Sequence, residues 1–138
     1  MIRSFFVLPI ETIGKLLRDT PVLNQREELT WLEHERIDNP LFYDFIGTRG
    51  IRQVGRLMMM DRSRDFMNKV EQEINIARKG LSDPIINIYI VSGLTGGTGS
   101  GCFLDVCYMV RSITQYTCRA QILGCFFPSG RKSRKGSC

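Results

Sequence analysis

The sequence predicts an α/β protein with a parallel sheet, and three stretches carry that prediction. Ile85 to Val91 is an almost unbroken apolar run, the pattern of a strand covered on both faces. Ala120 to Phe127 is a second run of the same kind, closed by Pro128. Between them, residues 101–114 are apolar nearly all round, with Phe103, Leu104, Val106, Cys107, Met109 and Val110, and have helical length. Strand, helix and strand in that order form a crossover unit, whose two strands run parallel.

Taken in chain order, Arg3 to Leu8 has the apolar content of a short strand ended by Pro9, and Ile13, Leu16 and Leu17 have helical spacing within residues 11–18. Asp19-Thr20-Pro21 breaks that helix. Residues 25–36 read as a polar surface helix carrying Leu29, Leu32 and Trp31, and Asp38-Asn39-Pro40 makes a turn. Residues 1–44 thus form a mostly helical segment without a chemical motif. A glycine-bearing loop at Phe45 to Gly50 follows. Residues 51–79 then read as one long helix, bent at Gly55 or near Asp61. Its apolar face is Phe66, Met67, Val70, Ile74 and Ala77, and Lys79-Gly80 supplies a basic last turn and a C′ glycine. Residues 45–128 form the folded body, and the Ser/Gly/Lys/Arg-rich residues 129–138 are expected to be a disordered basic tail.

Composition excludes several function classes. The 138 residues are 43% hydrophobic and 24% charged, which is ordinary for a single globular domain. No stretch approaches the roughly 18 apolar residues of a membrane helix, and the first ten residues are too short for a secretory leader, so the cytoplasm is the expected compartment. Most of the net charge of +5 sits in the tail, which holds four of the 19 basic residues and none of the 14 acidic ones. The body is close to neutral, and no aromatic interleaves with the tail's charges, which disfavours nucleic acid as a partner. Five cysteines, at 102, 107, 118, 125 and 138, show no metal-ligand spacing and their odd number argues against a disulfide framework. Cys102, Cys107 and Cys125 lie in apolar context and are expected to be small buried apolar residues in a reduced compartment. The single histidine, His34, has no catalytic partner nearby in sequence, and no metal site is expected.

The chemistry lies between the strand and the helix. Ser92 to Gly101 packs Gly96, Gly97, Gly99 and Gly101 into six residues. Glycine at that density lets the backbone turn several N–H groups toward one point, and a helix starting near Ser100 adds its unpaired amides and positive dipole end, worth about 1 kcal/mol toward an anion. A phosphate is the expected occupant. A P-loop is excluded because no Lys or Arg occurs between Lys79 and Arg111. The dinucleotide fingerprint Gly-x-Gly-x-x-Gly is not matched either, since Gly97, Gly99 and Gly101 fall as Gly-x-Gly-x-Gly.

Gly96-Gly97-Thr98-Gly99-Ser100-Gly101 resembles the signature loop of the tubulin/FtsZ superfamily. The likeness extends from about Phe45 to Pro128, through Gln53-Val54-Gly55-Arg56, the long helix, the apolar strand, the signature, the helix and the second strand. It is closest to bacterial tubulin-like proteins. The resemblance implies a Rossmann-like, tubulin/FtsZ-type nucleotide-binding segment that is incomplete, since no first phosphate loop, base-contacting segment or second domain is recognisable. It implies GTP as ligand, with Mg2+ as an optional companion. By motif, Gly96, Gly97, Thr98, Gly99, Ser100 and Gly101 would wrap the phosphates, and Gly47, Thr48, Arg49 and Gly50 would face the terminal one. Thr95 stands where the full signature has another glycine, and Ile51 where FtsZ-like proteins carry asparagine. The resemblance further implies that the full-length form binds GTP and self-associates head to tail into a filament, as a cytoskeletal GTPase, and that this chain alone is a poor or inactive enzyme. No catalytic residue is assigned. Two alternatives stay open: half of an NAD(P)-binding oxidoreductase, and a non-catalytic α/β scaffold in which the glycines serve a tight turn and close helix packing.

Overall fold

The computed structural model describes Trp31, Thr48 and residues 50–128. The expected elements before residue 45 and the basic tail lie outside the described residues, apart from Trp31, which sits in a turn. The described elements are helix α1 (Arg52–Asp61), helix α2 (Ser63–Arg78), strand β1 (Ile85–Gly93), helix α3 (Gly97–Thr117) and strand β2 (Arg119–Phe127).

The strands pair in parallel, in register from Ile85 opposite Arg119 to Gly93 opposite Phe127. This is the α/β, parallel-sheet class the apolar runs predict. The ladder is carried one step further by the Leu94 amide, which donates to the Phe127 carbonyl at 3.0 Å. At the other end Arg119 reaches Asp83 at 3.1 Å and ties the start of β2 to the turn before β1.

Residues 51–79 form two helices joined at Arg62, whose φ of −105° and ψ of 12° stop the first and start the second. The joint lies beside Asp61, while Gly55 sits inside α1, which runs unbroken from Arg52 to Asp61. Ser63 donates its hydroxyl to the Met60 carbonyl across the joint at 2.8 Å. Gly80 ends the region in the left-handed conformation, φ +80°, as a C′ glycine does. Arg78 donates to the Thr117 carbonyl and fastens the end of α2 to the end of α3.

The core lies chiefly between α1 and α3. Val54, Leu57, Met58 and Met59 of α1 meet Cys102, Val110 and Ile113 of α3, with Ile74 of α2 and Ile90 of β1 completing it. Burial of this apolar surface supplies the main stabilisation. Ala77, expected on the buried face of α2, is exposed. Of Cys102, Cys107 and Cys125, all expected to be buried, the structure buries Cys102, half-buries Cys107 and leaves Cys125 exposed, because the outer face of β2 is uncovered. The apolar runs predict cover on both sides of the sheet, and the structure departs from this. One face of β1 is packed, while Ile85, Tyr89 and Val91 on the other are 51%, 65% and 65% exposed. Helix α3 is likewise buried on the side toward α1 but shows Leu104, Tyr108 and Tyr116 to solvent. A period of two or 3.6 marks which residues share a face and does not say what covers it.

Candidate functional site

The glycine stretch is mostly helix. Only Leu94 to Gly96 connect β1 to α3, which begins at Gly97, three to four residues earlier than its glycine content predicts. Gly96 is the N-cap, in extended conformation, with no side chain to cap the first turn. Gly97 to Gly101 therefore form the opening of a 21-residue helix. Its first amides have no partner within the helix and point past Gly96. Ser100 folds back, its amide donating to the Gly96 carbonyl at 3.4 Å and its hydroxyl to the same oxygen.

Glycine is costly in a helix, about 1 kcal/mol per residue against alanine, so three of them here need a cause. Packing supplies it. A Cβ on Gly101 would lie 2.1 Å from the Arg52 carbonyl oxygen, and one on Gly97 2.7 Å from the Ile51 nitrogen. From the other side, a Cβ on Gly55 would lie 2.2 Å from the Gly97 carbonyl oxygen. Helices α1 and α3 thus cross backbone against backbone. Gly99 faces the strand end, with Gly93 O at 2.6 Å from its added Cβ. Gly96 differs from all of them, because a Cβ there meets nothing within 4 Å.

The same crossing brings the two glycine-bearing loops together. Thr48 is buried, and its hydroxyl lies 3.3 Å from that of Thr98. The Ile51 amide donates to the Thr48 carbonyl at 2.7 Å, which ties this loop to the start of α1. Of the ten residues singled out in the sequence, Thr48, Gly50 and Gly96 to Gly101 are gathered around the opening of α3. Gly47 and Arg49 lie outside the described residues. The arrangement offers unpaired amides, two hydroxyls and a positive helix end at one place, which is the chemistry of an anion site.

Two neighbours were not legible in the sequence. Arg56 grips Asp105 with two bonds, Nε to Oδ2 at 3.0 Å and Nη2 to Oδ1 at 3.3 Å. Its guanidinium carbon also sits 4.7 Å from the centre of the Trp31 ring, and Gln53 donates to the Trp31 carbonyl at 3.0 Å. These partners are up to 49 residues apart, so no local pattern announces them.

Cys102, next to the last signature glycine, is buried, and burial pushes its thiol above the ordinary range. A backbone hydrogen bond partly offsets this, and the Asp105 carboxylate adds to the rise. Thiolate is the reactive form, so iodoacetamide at pH 8 is expected to label exposed Cys125 at least about tenfold faster than Cys102. Because the folded thiol has the higher pKa, its contribution to stability is complete below the unfolded value of about 8.5 and is lost as pH rises from there through the folded pKa. Mass spectrometry of labelled peptides and urea melts at pH 7 and 9.5 check the two halves.

Among the described residues no helix is long and apolar enough to cross a membrane. No curated protein and no solved structure matches the chain. A family model described as tubulin like matches residues 7–135, nearly the whole sequence and including the strand, signature loop and helix described above. By that match the chain belongs to the tubulin-like family.

Proposed function

We propose that the opening of α3 and the loop around Thr48 form the phosphate-binding part of a GTP site of the tubulin/FtsZ kind. The observation that carries this reading is the meeting of the two loops, with the Thr48 and Thr98 hydroxyls 3.3 Å apart beside the unpaired amides of Gly97, Thr98 and Gly99. Phosphate oxygens accept from these amides, and the hydroxyls donate to them or hold a water. A Mg2+ accompanying the nucleotide would be held chiefly through phosphate oxygens and water, with the Thr98 hydroxyl as the protein oxygen available to it, and would supply charge neutralisation there. The full-length form assembles head to tail from copies of itself, in the manner of bacterial tubulin-like filaments, and hydrolysis needs groups brought by assembly. Four described cysteines are free thiols, which supports a reducing compartment, the cytoplasm.

The test is thermal stabilisation of the chain by nucleotides. GTP or GDP at about ten times its Kd is expected to add about 1.4 kcal/mol, a rise of about 4 to 6 °C, while NAD and NADP add nothing. Stabilisation by NAD(P) alone would replace this reading with a dinucleotide one. Turnover of GTP by the isolated chain is expected to be negligible, and rapid phosphate release by it would show that assembly is not required.

The packing contacts of Gly55, Gly97 and Gly101 favour a second reading, in which the glycines serve helix crossing alone. The two readings part at Gly96, which makes no such contact.

A further inference from the structure

We propose that Arg56 is a positioning residue that sets the axial register of α1 against α3 and thereby holds Thr48 at Thr98, an inference that rests on the phosphate-site reading for its functional consequence. Where α1 and α3 cross through Gly55, Gly97 and Gly101 the contact is backbone against backbone, and the side chains packed beside it, Val54, Leu57, Met58 and Met59 with Cys102, Val110 and Ile113, are apolar. A contact between bare backbones is close but smooth, and it resists sliding less than the ridges and grooves that fix most helix pairs. The apolar core beside it is held by non-directional contacts, and a directional polar pair is what adds a defined register. Arg56 lies one turn along from Arg52, whose carbonyl faces Gly101, and Asp105 lies one turn along from Gly101 itself. The two-pronged grip of guanidinium on carboxylate fixes both distance and orientation, because the planar fork matches the carboxylate at one relative placement. Trp31 covers the guanidinium from the ring face and limits its swing.

The loop rides on α1. Thr48 is tied to it through the Ile51 amide, and the Gly55 amide returns to the Ile51 carbonyl at 3.3 Å. A shift of α1 by about 1 Å along α3 would separate the two hydroxyls beyond hydrogen-bond reach, and misplacement on that scale is costly to a preorganised site. The Arg56 side chain is engaged with Asp105, one turn past Gly101, so its guanidinium acts on the first-turn amides through Thr48.

The experiment uses the full chain with Arg56→Lys, which keeps the charge and removes the fork, the charge-exchanged pair Arg56→Asp with Asp105→Arg, and Asp83→Asn as a control that breaks the exposed pair with Arg119. Amide exchange is read without nucleotide at Ile51, whose donor bond to Thr48 reports the loop, and across the core helices. GTP affinity is read separately. Arg56→Lys is expected to raise exchange at Ile51 about tenfold and weaken GTP binding about tenfold, with core exchange unchanged, the charge-exchanged pair recovering part of both and the control moving neither. Unchanged exchange at Ile51 overturns the proposal, as does a rise spread evenly through Leu57, Ile74 and Ile113, which marks general destabilisation. A wild-type chain that binds no GTP overturns the phosphate-site reading, and the Ile51 response then still decides whether Arg56 sets the register.

Discussion

Gly101→Ala is expected to destabilise the chain by about 2 to 3 kcal/mol, although helix propensity alone predicts a gain of about 1 kcal/mol for removing a glycine from a helix. The new methyl would sit 2.1 Å from the Arg52 carbonyl oxygen, 3.0 Å from its carbon and 3.1 Å from the Arg56 nitrogen. All three are backbone atoms, so none can rotate aside. Helix α1 must back away instead, and its Val54 and Leu57, each 1% exposed, lose contacts with α3. Overpacking of this kind costs about 1 to 3 kcal/mol and occasionally more, enough to reverse the propensity term. Urea unfolding checks it, through a lower midpoint at unchanged slope. Gly55→Ala should behave alike. A Gly101→Ala chain more stable than wild type would show that the helices do not cross as closely as described.

Gly96→Asp is expected to move stability and binding in opposite directions. At the N-cap an aspartate accepts from the first-turn amides and meets the positive helix end, so the chain should gain about 0.5 to 1 kcal/mol. A Cβ at this position meets nothing within 4 Å. The same carboxylate then occupies the amides a phosphate needs and repels it. Two unit charges about 4 Å apart near a protein surface interact by about 4 kcal/mol, so a loss of even half that amounts to about 30-fold in affinity. Calorimetric titration with GTP, beside a melt of the free protein, reads both signs. If the variant gains stability and binds GTP as wild type does, the phosphates do not lie at the opening of α3.

The sheet was legible in the sequence because two uninterrupted apolar runs on either side of one helix leave little choice of topology. The beginning of α3 was not, and the reason lies in what glycine does. Gly97, Gly99 and Gly101 read as loop by propensity, yet the close approach of α1 and the loop before it at Gly97 and Gly101, and of the end of β1 at Gly99, makes the missing Cβ worth more than the backbone entropy it costs. The joint at Arg62 was foreseen near Asp61, but the sequence left residue 55 as an equal candidate, since an interior glycine marks bending and close packing alike. Which residues gather at the site was legible only through the family likeness. Thr48 and Thr98 are 50 positions apart, and neither the charge pattern nor the periodicity around them predicts a contact. Arg56 and Asp105 lay beyond reach for the same reason. Exposure of Ile85, Tyr89 and Val91 shows the converse limit, since a run of apolar residues reports an affinity for cover and not the cover itself.

The backbone crossing of α1 and α3 also changes what the signature Gly-Gly-Thr-Gly-Ser-Gly can certify. Three of its four glycines are demanded by helix packing and by the strand end, whatever the loop binds. A descendant that had lost every ligand would still be purged of variants at those three positions, because each would unseat the core. The motif thus persists under selection for folding alone. Gly96 is free of that packing demand, so on the phosphate-site reading proposed above its identity in a tubulin-like sequence is the more informative sign of binding.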